Sequence, residues 1–565
     1  MRQFFLWALL CIPLCLWGFF QHFYPRLHAY ALKKATATVQ EHLAPTDKVS
    51  FERISLAWPW PSVCVHGIRA QTTQQNHTLR AHVQKLCVRV PVDFLLHPGQ
   101  DLRTLDIPWA SFTGALVELP NPPYVFFSQG RITHMGFSNT WEMEGLTQQG
   151  ALLRASLEHT PQSTPTWHAQ FEAENIPLHQ LPKLQKHVSG WADISAQTTG
   201  SSLHTPEECF FNIDFSPTYI QHPSLGQEPL QMQSFSAQGR FEQHNTLSTL
   251  EGHVGFAHPS SWEVPFAFSW RNTPSKPFTA SFTYHEDARL LQHFIQSNLH
   301  APEGLPRIWG PLHIHLHLAG RFTQPTSWKL EGLLNTSLLE VSFHPNKNLR
   351  SHFMHTPSIG NTSGKSLDVS AQNTHFTPLS QLPSYLTRAI LLSEDAGFYG
   401  HQGFDFEGLQ NGLIVSFLHK KWVRGGSTIT QQLAKNLFFS KEKSLSRKIQ
   451  ESLTTLALET GLSKSRILEI YMNIIEWGPN TFGITDASYL YFGKHPSSLQ
   501  VKEAAFLASI IPNPRRFFMY YQRGALTPAW EERLAVVLTK LHAVGEIDEA
   551  TYDEALHTPL YFNKH

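Results

Sequence analysis

Ser393-Glu394-Asp395-Ala396-Gly397-Phe398-Tyr399-Gly400-His401-Gln402-Gly403-Phe404-Asp405 opens the stretch, Ala389 to Glu451, on which the reading of this chain turns. It continues through Gly425-Gly426-Ser427-Thr428-Ile429-Thr430-Gln431-Gln432-Leu433-Ala434-Lys435-Asn436 and closes with Arg447-Lys448-Ile449-Gln450-Glu451. Three polar clusters stand between apolar helical repeats. They supply two candidate acid/base carboxylates, Glu394 and Glu451, and several cations. That combination suits chemistry on an anionic substrate with a hydroxyl to deprotonate.

After Pro383, the residues Leu386, Ala389, Ile390 and Leu391-Leu392 have the spacing of a short helix with Ser384 as its N-cap. Glu394 falls at its end, beside Phe398, Tyr399 and Phe404. A carboxylate held among aromatic rings has its ionised form disfavoured, so its pKa rises towards neutrality. Taken singly, a Glu-Asp pair there more often merely closes a helix. The second cluster reads as a helix after the Gly425-Gly426 turn, with Ser427 its natural N-cap. Ile429, Leu433 and Leu437 make one face apolar, and Thr428, Gln431 and Lys435 fall on another. A hydroxyl, an amide and an ammonium beside the free N–H groups of a helix N-terminus would suit a sugar phosphate, or form an ordinary solvated face. In the third cluster Arg447 and Glu451 stand one turn apart, with Lys448 adjacent and Ile449, Leu453 and Leu456 expected to pack inward. Alone this is a common i,i+4 ion pair.

In their order and wording the three clusters resemble the peptidoglycan glycosyltransferases, glycosyltransferase family 51. These are the transglycosylase domains of class A penicillin-binding proteins and their monofunctional relatives. Arg466-Ile467-Leu468-Glu469-Ile470-Tyr471-Met472-Asn473, Glu476-Trp477-Gly478, Phe482-Gly483-Ile484, Tyr491-Phe492-Gly493-Lys494, Glu503–Ala508 and Pro512-Asn513-Pro514 extend the resemblance from about Thr377 to the C-terminus. It implies a mostly α-helical, lysozyme-like domain that polymerises lipid II. The acceptor hydroxyl attacks the anomeric carbon of the growing strand, which leaves its polyprenyl diphosphate with inversion. By this resemblance Glu394 is the general base, and Glu451 the second carboxylate, positioning the donor or its metal-bound diphosphate. Lys435, Arg447 and Lys448 meet the leaving diphosphate. Ser427, Thr428, Gln431, Gln432, Asn436 and His401 complete the substrate clefts. A divalent cation, Mg2+ or Mn2+, could bridge the diphosphate, although no dedicated protein cage is visible. Residues 406–421, with Leu409, Leu413 and Phe417 on one face and Lys420-Lys421 at the end, would be the part that dips into the membrane. An ordinary core helix fits the same pattern.

The rest of the chain sets the frame. At 565 residues it is too long for one core. A formal net charge of +0 argues against a general nucleic-acid-binding surface. Five cysteines, none beyond Cys209, leave the catalytic stretch independent of redox state. The nearly unbroken apolar run Phe4–Phe20 reads as an uncleaved signal anchor, although Arg26, Lys33 and Lys34 on its far side oppose the orientation that Arg2 favours. Single-pass attachment to the bacterial inner membrane, with the catalytic domain in the periplasm, follows from the family's lipid-linked substrate. From about Val49 to Phe353 short alternating segments punctuated by Pro, Gly and Ser predict antiparallel β structure. Its opening, Trp58–Val65, Leu86–Val92 and Leu105-Asp106-Ile107-Pro108, is loosely similar to AsmA-like proteins, whose long sheets handle lipids. Cys64 and Cys87 could pair if their strands are neighbours. His313, His315 and His317 share one strand face, which reads as solvated in the absence of partners at ligand spacing.

The expected architecture is therefore multidomain α+β. Residues 1–25 are the membrane helix, 26–354 the β-rich region, 355–374 a linker rich in Ser, Thr, Asn and Gly, and 375–565 the glycosyltransferase domain. Gly360–Ser366 nearly spells a phosphate-binding loop but is one residue short. Ser440-Lys441-Glu442-Lys443 matches a Ser-x-x-Lys, yet no Lys-Thr-Gly occurs, so transpeptidase chemistry is not expected. The expected partners are lipid II, the growing glycan strand, membrane lipid and, through the β-rich region, cell-wall synthesis proteins. Two rival functions are a catalytically idle membrane scaffold and a lipid-handling protein tethered to wall growth.

Overall fold

The structure, a computed structural model, describes residues 48–563 except 58–61, 75–76, 90–108, 119–123, 136–139, 148–149, 161–165, 181–185, 201–206, 222–229, 257–261, 300, 360–361, 420–425 and 441–443. The apolar run Phe4–Phe20 lies outside the described residues. Among those described, no helix is long and apolar enough to cross a membrane. The chain divides into two compact units, one of residues 1–220 with 234–252, the other of 221–233 with 253–565.

In the first unit, period-two alternation produces an antiparallel meander. Strand Ser62–Gln74 pairs with Arg53–Ala57 and with His77–Arg89. Pairing then runs in chain order through Trp109–Glu118, Tyr124–Met135, Thr140–Thr147, Leu152–Thr160 and Thr166–Pro177. Trp191–Gly200, Glu208–Phe215 and Phe235–His244 complete it. Cys64 stands opposite Cys87 in the first hairpin, and the two form a disulfide. Phe112, Ala115, Phe127, Leu153 and Ala173 make a small core. Gly130 is required there: a Cβ would sit 2.1 Å from the Phe112 ring.

The second unit opens with four antiparallel strands, Trp262–Arg271, Pro277–Asp287, Pro311–Arg321 and Gln324–Asn335. Leu312, Ile314, Leu316 and Leu318 alternate with His313, His315 and His317, as the pattern predicts. His315 Nδ1 lies 3.0 Å from Thr283 Oγ1, and the His313 ring meets that of His285 at 3.8 Å. Ten helices follow among the described residues, from Ser384–Glu394 to Glu549–His557. Their ends follow local chemistry. Thr428, Ser444, Ser463, Asn513 and Asp548 cap N-termini through their side chains, while Gly493 and Gly524 close C-termini in the left-handed conformation. Pro383, rather than Ser384, occupies the N-cap of the first.

One hydrophobic core joins these strands to the helices: Trp262, Tyr284, Phe343, Leu349 and Phe353 belong with Leu386, Leu433, Tyr471 and Trp477. The stretch 355–374 is accordingly not an open linker. Phe353–His355 pairs with Leu367–Val369, and Phe353, His355 and Val369 are all buried. Its polar composition conceals a packed hairpin. Ile449, expected inward, is 40% exposed, whereas Leu453 and Leu456 are buried. The Phe406–His419 helix has no buried residue and leans on strand Gln324–Asn335. Gln410 Oε1 accepts the Leu330 N–H at 2.8 Å, and Phe417 meets the Trp328 ring at 4.8 Å. Val415, Phe417 and Leu418 stay exposed. Lys420 and Lys421 lie outside the described residues.

Candidate active site

Helix Ser384–Glu394 ends at a cleft of about 180 Å3 lined by residues 392–396, Asp405, Gly408 and residues 426–428. Glu394 is half-buried in its wall. The Gln432 amide donates to Glu394 Oε2 at 2.9 Å, and Gln432 Oε1 in turn accepts from the Tyr471 hydroxyl at 3.0 Å. Tyr471 is fully buried, so the amide is fixed in orientation and the carboxylate with it. Burial pushes the Glu394 carboxyl above its usual range. The Gln432 hydrogen bond and the charges of Lys435 and Arg533 oppose the shift, and Asp395 reinforces it. The raised pKa was expected, but its surroundings differ from the expectation. Phe398 is fully buried and Tyr399 is 56% exposed, while a polar amide is the carboxylate's partner.

Asp395 is the first residue that sequence reasoning undervalued. Its buried carboxylate accepts from His401 Nε2 at 2.8 Å and from the Ile429 N–H at 2.9 Å. It thereby anchors the first turn of helix Ile429–Phe438, where an anion is favoured. The Gly403 N–H donates to His401 Nδ1 at 3.1 Å, so both ring nitrogens brace the 395–403 loop. His401, expected in a substrate cleft, is held to Asp395 and Gly403 through its two ring nitrogens. An acid followed six residues later by histidine was the available signal. Arg533, from helix Pro528–Ala543, had none.

Thr428, not Ser427, caps the second helix. Its hydroxyl accepts the Gln431 N–H at 3.2 Å and donates to the Gly403 carbonyl at 2.7 Å. It is 2% exposed, and its hydroxyl is engaged with the backbone. Ser427 is exposed; it and Gln431 Oε1 each accept from Lys448 Nζ, at 3.1 and 3.2 Å. Lys435 and Asn436 are half-buried on the same helix.

Helix Leu445–Gly461 brings the third cluster to the second. Arg447 pairs with buried Glu451, and Lys448 Nζ stands 3.4 Å from its other oxygen. Burial and the charges of Arg447 and Lys435 pull the Lys448 ammonium down to about 8. Lys435, Arg447 and Lys448 thus form one group of neighbouring cations, and the influence of Lys435 on Glu394 links it to the base. Arg447 and Lys448 stand beside the two Glu451 oxygens, and among the described residues no group of three or more His, Cys, Asp or Glu could hold a metal ion.

A family model described as Transglycosylase matches residues 361–542. The Biosynthetic peptidoglycan transglycosylase of Nitrosospira multiformis is 42% identical over 171 residues, 30% of this chain and 73% of that protein. The chain belongs to the transglycosylase family. Its relative of the same description from Nitrosomonas eutropha is 47% identical over 161 residues, 28% of this chain. The chain spans 64% of the length of that relative. Among solved structures, Penicillin-Binding Protein 1A from Haemophilus influenzae is 19% identical with a TM-score of 0.19, covering 38% of this chain and 22% of that one. An overlap so slight does not speak for the fold. All of the matched transglycosylase stretch lies within the second compact unit, together with the cleft.

Proposed function

We propose that this member of the transglycosylase family polymerises lipid II into glycan strands at the periplasmic face of the bacterial inner membrane, releasing polyprenyl diphosphate. The observation that carries the proposal is Glu394: a carboxylate raised by burial, aimed by Gln432 and Tyr471, within reach of the Lys435 charge. In this reading Glu394 takes the proton of the acceptor hydroxyl as it attacks the anomeric carbon. The leaving diphosphate accumulates charge as the glycosidic bond breaks, and Lys435, Arg447 and Lys448 stabilise that state preferentially. Glu451 holds Arg447 and Lys448 in place. Ser427, Gln431 and Asn436 would contact the sugars or phosphates in this reading. No step is routed through a metal ion. The Cys64–Cys87 disulfide supports an oxidising compartment such as the periplasm. The β-rich first unit is proposed to meet membrane lipid and wall-synthesis proteins, a role its loose similarity to AsmA-like sheets supports.

Purified full-length chain incubated with lipid II should yield glycan strands, and Glu394→Gln should lower the rate by about 10²–10⁴-fold with substrate binding largely kept. No polymer from the wild-type chain would defeat the functional reading. Near wild-type turnover by Glu394→Gln would defeat only the assignment of the base.

A further inference from the structure

The last four carbonyls of any helix lack partners within it, and a cation at that end is favoured by the helix dipole. In helix Ile429–Phe438 the last turn carries Lys435, the cation whose charge bears on Glu394. The Lys435 carbonyl is satisfied by the Phe439 N–H at 3.0 Å. The Leu437 carbonyl is satisfied from far away in the chain: Lys347 Nζ donates to it at 2.6 Å. The same ammonium lies 4.6 Å from the centre of the Phe438 ring, a cation–π contact that fixes it from the other side.

Lys347 arrives on a rigid support. It ends the short turn Pro345–Lys347, whose start is capped by the His344 side chain, between buried Phe343 and buried Leu349. Its ammonium is pulled down by burial only to about 8, so it is charged at neutral pH. Neighbouring contacts keep this segment on the helices. Arg350 Nε donates to the Gly461 carbonyl at 3.0 Å, and Arg466 donates to the Leu349 and Ser351 carbonyls at 3.0 and 2.8 Å. Lys347 lies outside the matched stretch 361–542.

We propose that Lys347 is a positioning residue for glycosyl transfer: an ammonium delivered by the β-rich part of the chain holds the last turn of helix Ile429–Phe438, and with it Lys435, in register with Glu394. The proposal rests on the functional reading above for its effect on turnover, and on geometry alone for its effect on the helix. Loss of the cap lets the turn fray and displaces the cation that meets the leaving diphosphate. Misplacement by about 1 Å costs up to about 10²-fold in rate.

The test uses the full-length chain and lipid II, with Lys347→Met, Lys347→Arg, Lys435→Ala and the double variant Lys347→Met/Lys435→Ala. Lys347→Met should lower kcat by about 10–100-fold while KM changes little, and Lys347→Arg should recover most of it. With Lys435 already removed, Lys347→Met should add less than about 2-fold, because both changes spoil the same interaction. Wild-type kcat in Lys347→Met, or two losses that simply multiply, overturns the proposal. Should the Met variant fail to fold, Lys347→Leu, which likewise has no donor, carries the same comparisons. Amide hydrogen exchange at residues 435–439 supplies a readout independent of turnover. It should quicken in Lys347→Met and not in Lys347→Arg, and unchanged protection overturns the cap even if no polymer forms with any variant.

Discussion

Glu394 and Lys448 should set opposite limbs of the pH profile. A general base works ionised, so kcat/KM falls as pH drops through the Glu394 pKa, which burial holds above the ordinary carboxylate range. The Gln432 amide hydrogen bond favours the ionised form, so Gln432→Leu should move the acidic limb to higher pH. An unmoved limb would assign that limb to another group. At the other end the Lys448 ammonium is lost as pH rises through about 8, and Lys448→Arg, whose guanidinium does not titrate there, should extend the plateau. The place of Glu394 was legible in the sequence because its neighbours follow the family's wording. The Gln432–Tyr471 relay was not, since Gln432 reads as one more substrate contact. Polar type alone does not reveal whether a side chain is spent on its own backbone. Thr428 and His401 are the examples, each bonded to backbone of the 395–403 loop. Lys540 shows the same limit: although outside every motif, it donates to the Leu392 carbonyl at 3.2 Å, two residues from Glu394.

At the level of elements, helix Ile429–Phe438 depends on two non-local anchors at its start, the Thr428 cap tied to Gly403 and the Asp395 carboxylate on Ile429. Thr428→Val removes the side-chain cap and leaves the buried Gln431 N–H short of a partner. It should cost about 1–2 kcal/mol in denaturant unfolding and lower turnover, whereas Thr428→Ser should preserve both. Equal stability of Val and Ser variants would show that the cap is dispensable. Periodicity made the helices of the three polar clusters readable, Leu445–Gly461 among them, although not their N-caps. The choice between Ser427 and Thr428 was not readable: both carry hydroxyls, and a carbonyl 25 residues upstream decides. The Phe406–His419 helix was equally ambiguous, because its apolar residues serve the strand beside it only in part and leave Phe417 and Leu418 exposed.

For the whole molecule, the buried His355 is the most sensitive reporter of how strands and helices share one core. Burial and the nearby Lys347 charge push its pKa down to about 3, against an unfolded value near 6.5. A lowered folded pKa means that the unfolded chain binds the proton more readily between those values. The stability tied to neutral His355 is therefore full above about pH 6.5 and is lost as pH falls towards 3. Melting curves from pH 7 to pH 4 should show a steep loss in the wild type and a shallower one in His355→Gln. Parallel slopes would mean that His355 is not buried uncharged. Composition suggested a boundary here because Ser, Thr and Asn outnumber the few apolar residues that matter, Phe353 and Val369. The strand Phe353–His355 and its mate Leu367–Val369 lie on opposite sides of residue 361, where the transglycosylase match begins. In hereditary terms that position is a poor crossover point. A recombination event there would separate a hairpin from half of itself, strip the Leu437 carbonyl of its ammonium and open one wall of the core. The smallest inheritable piece of this chain is thus larger than the stretch that the family match covers.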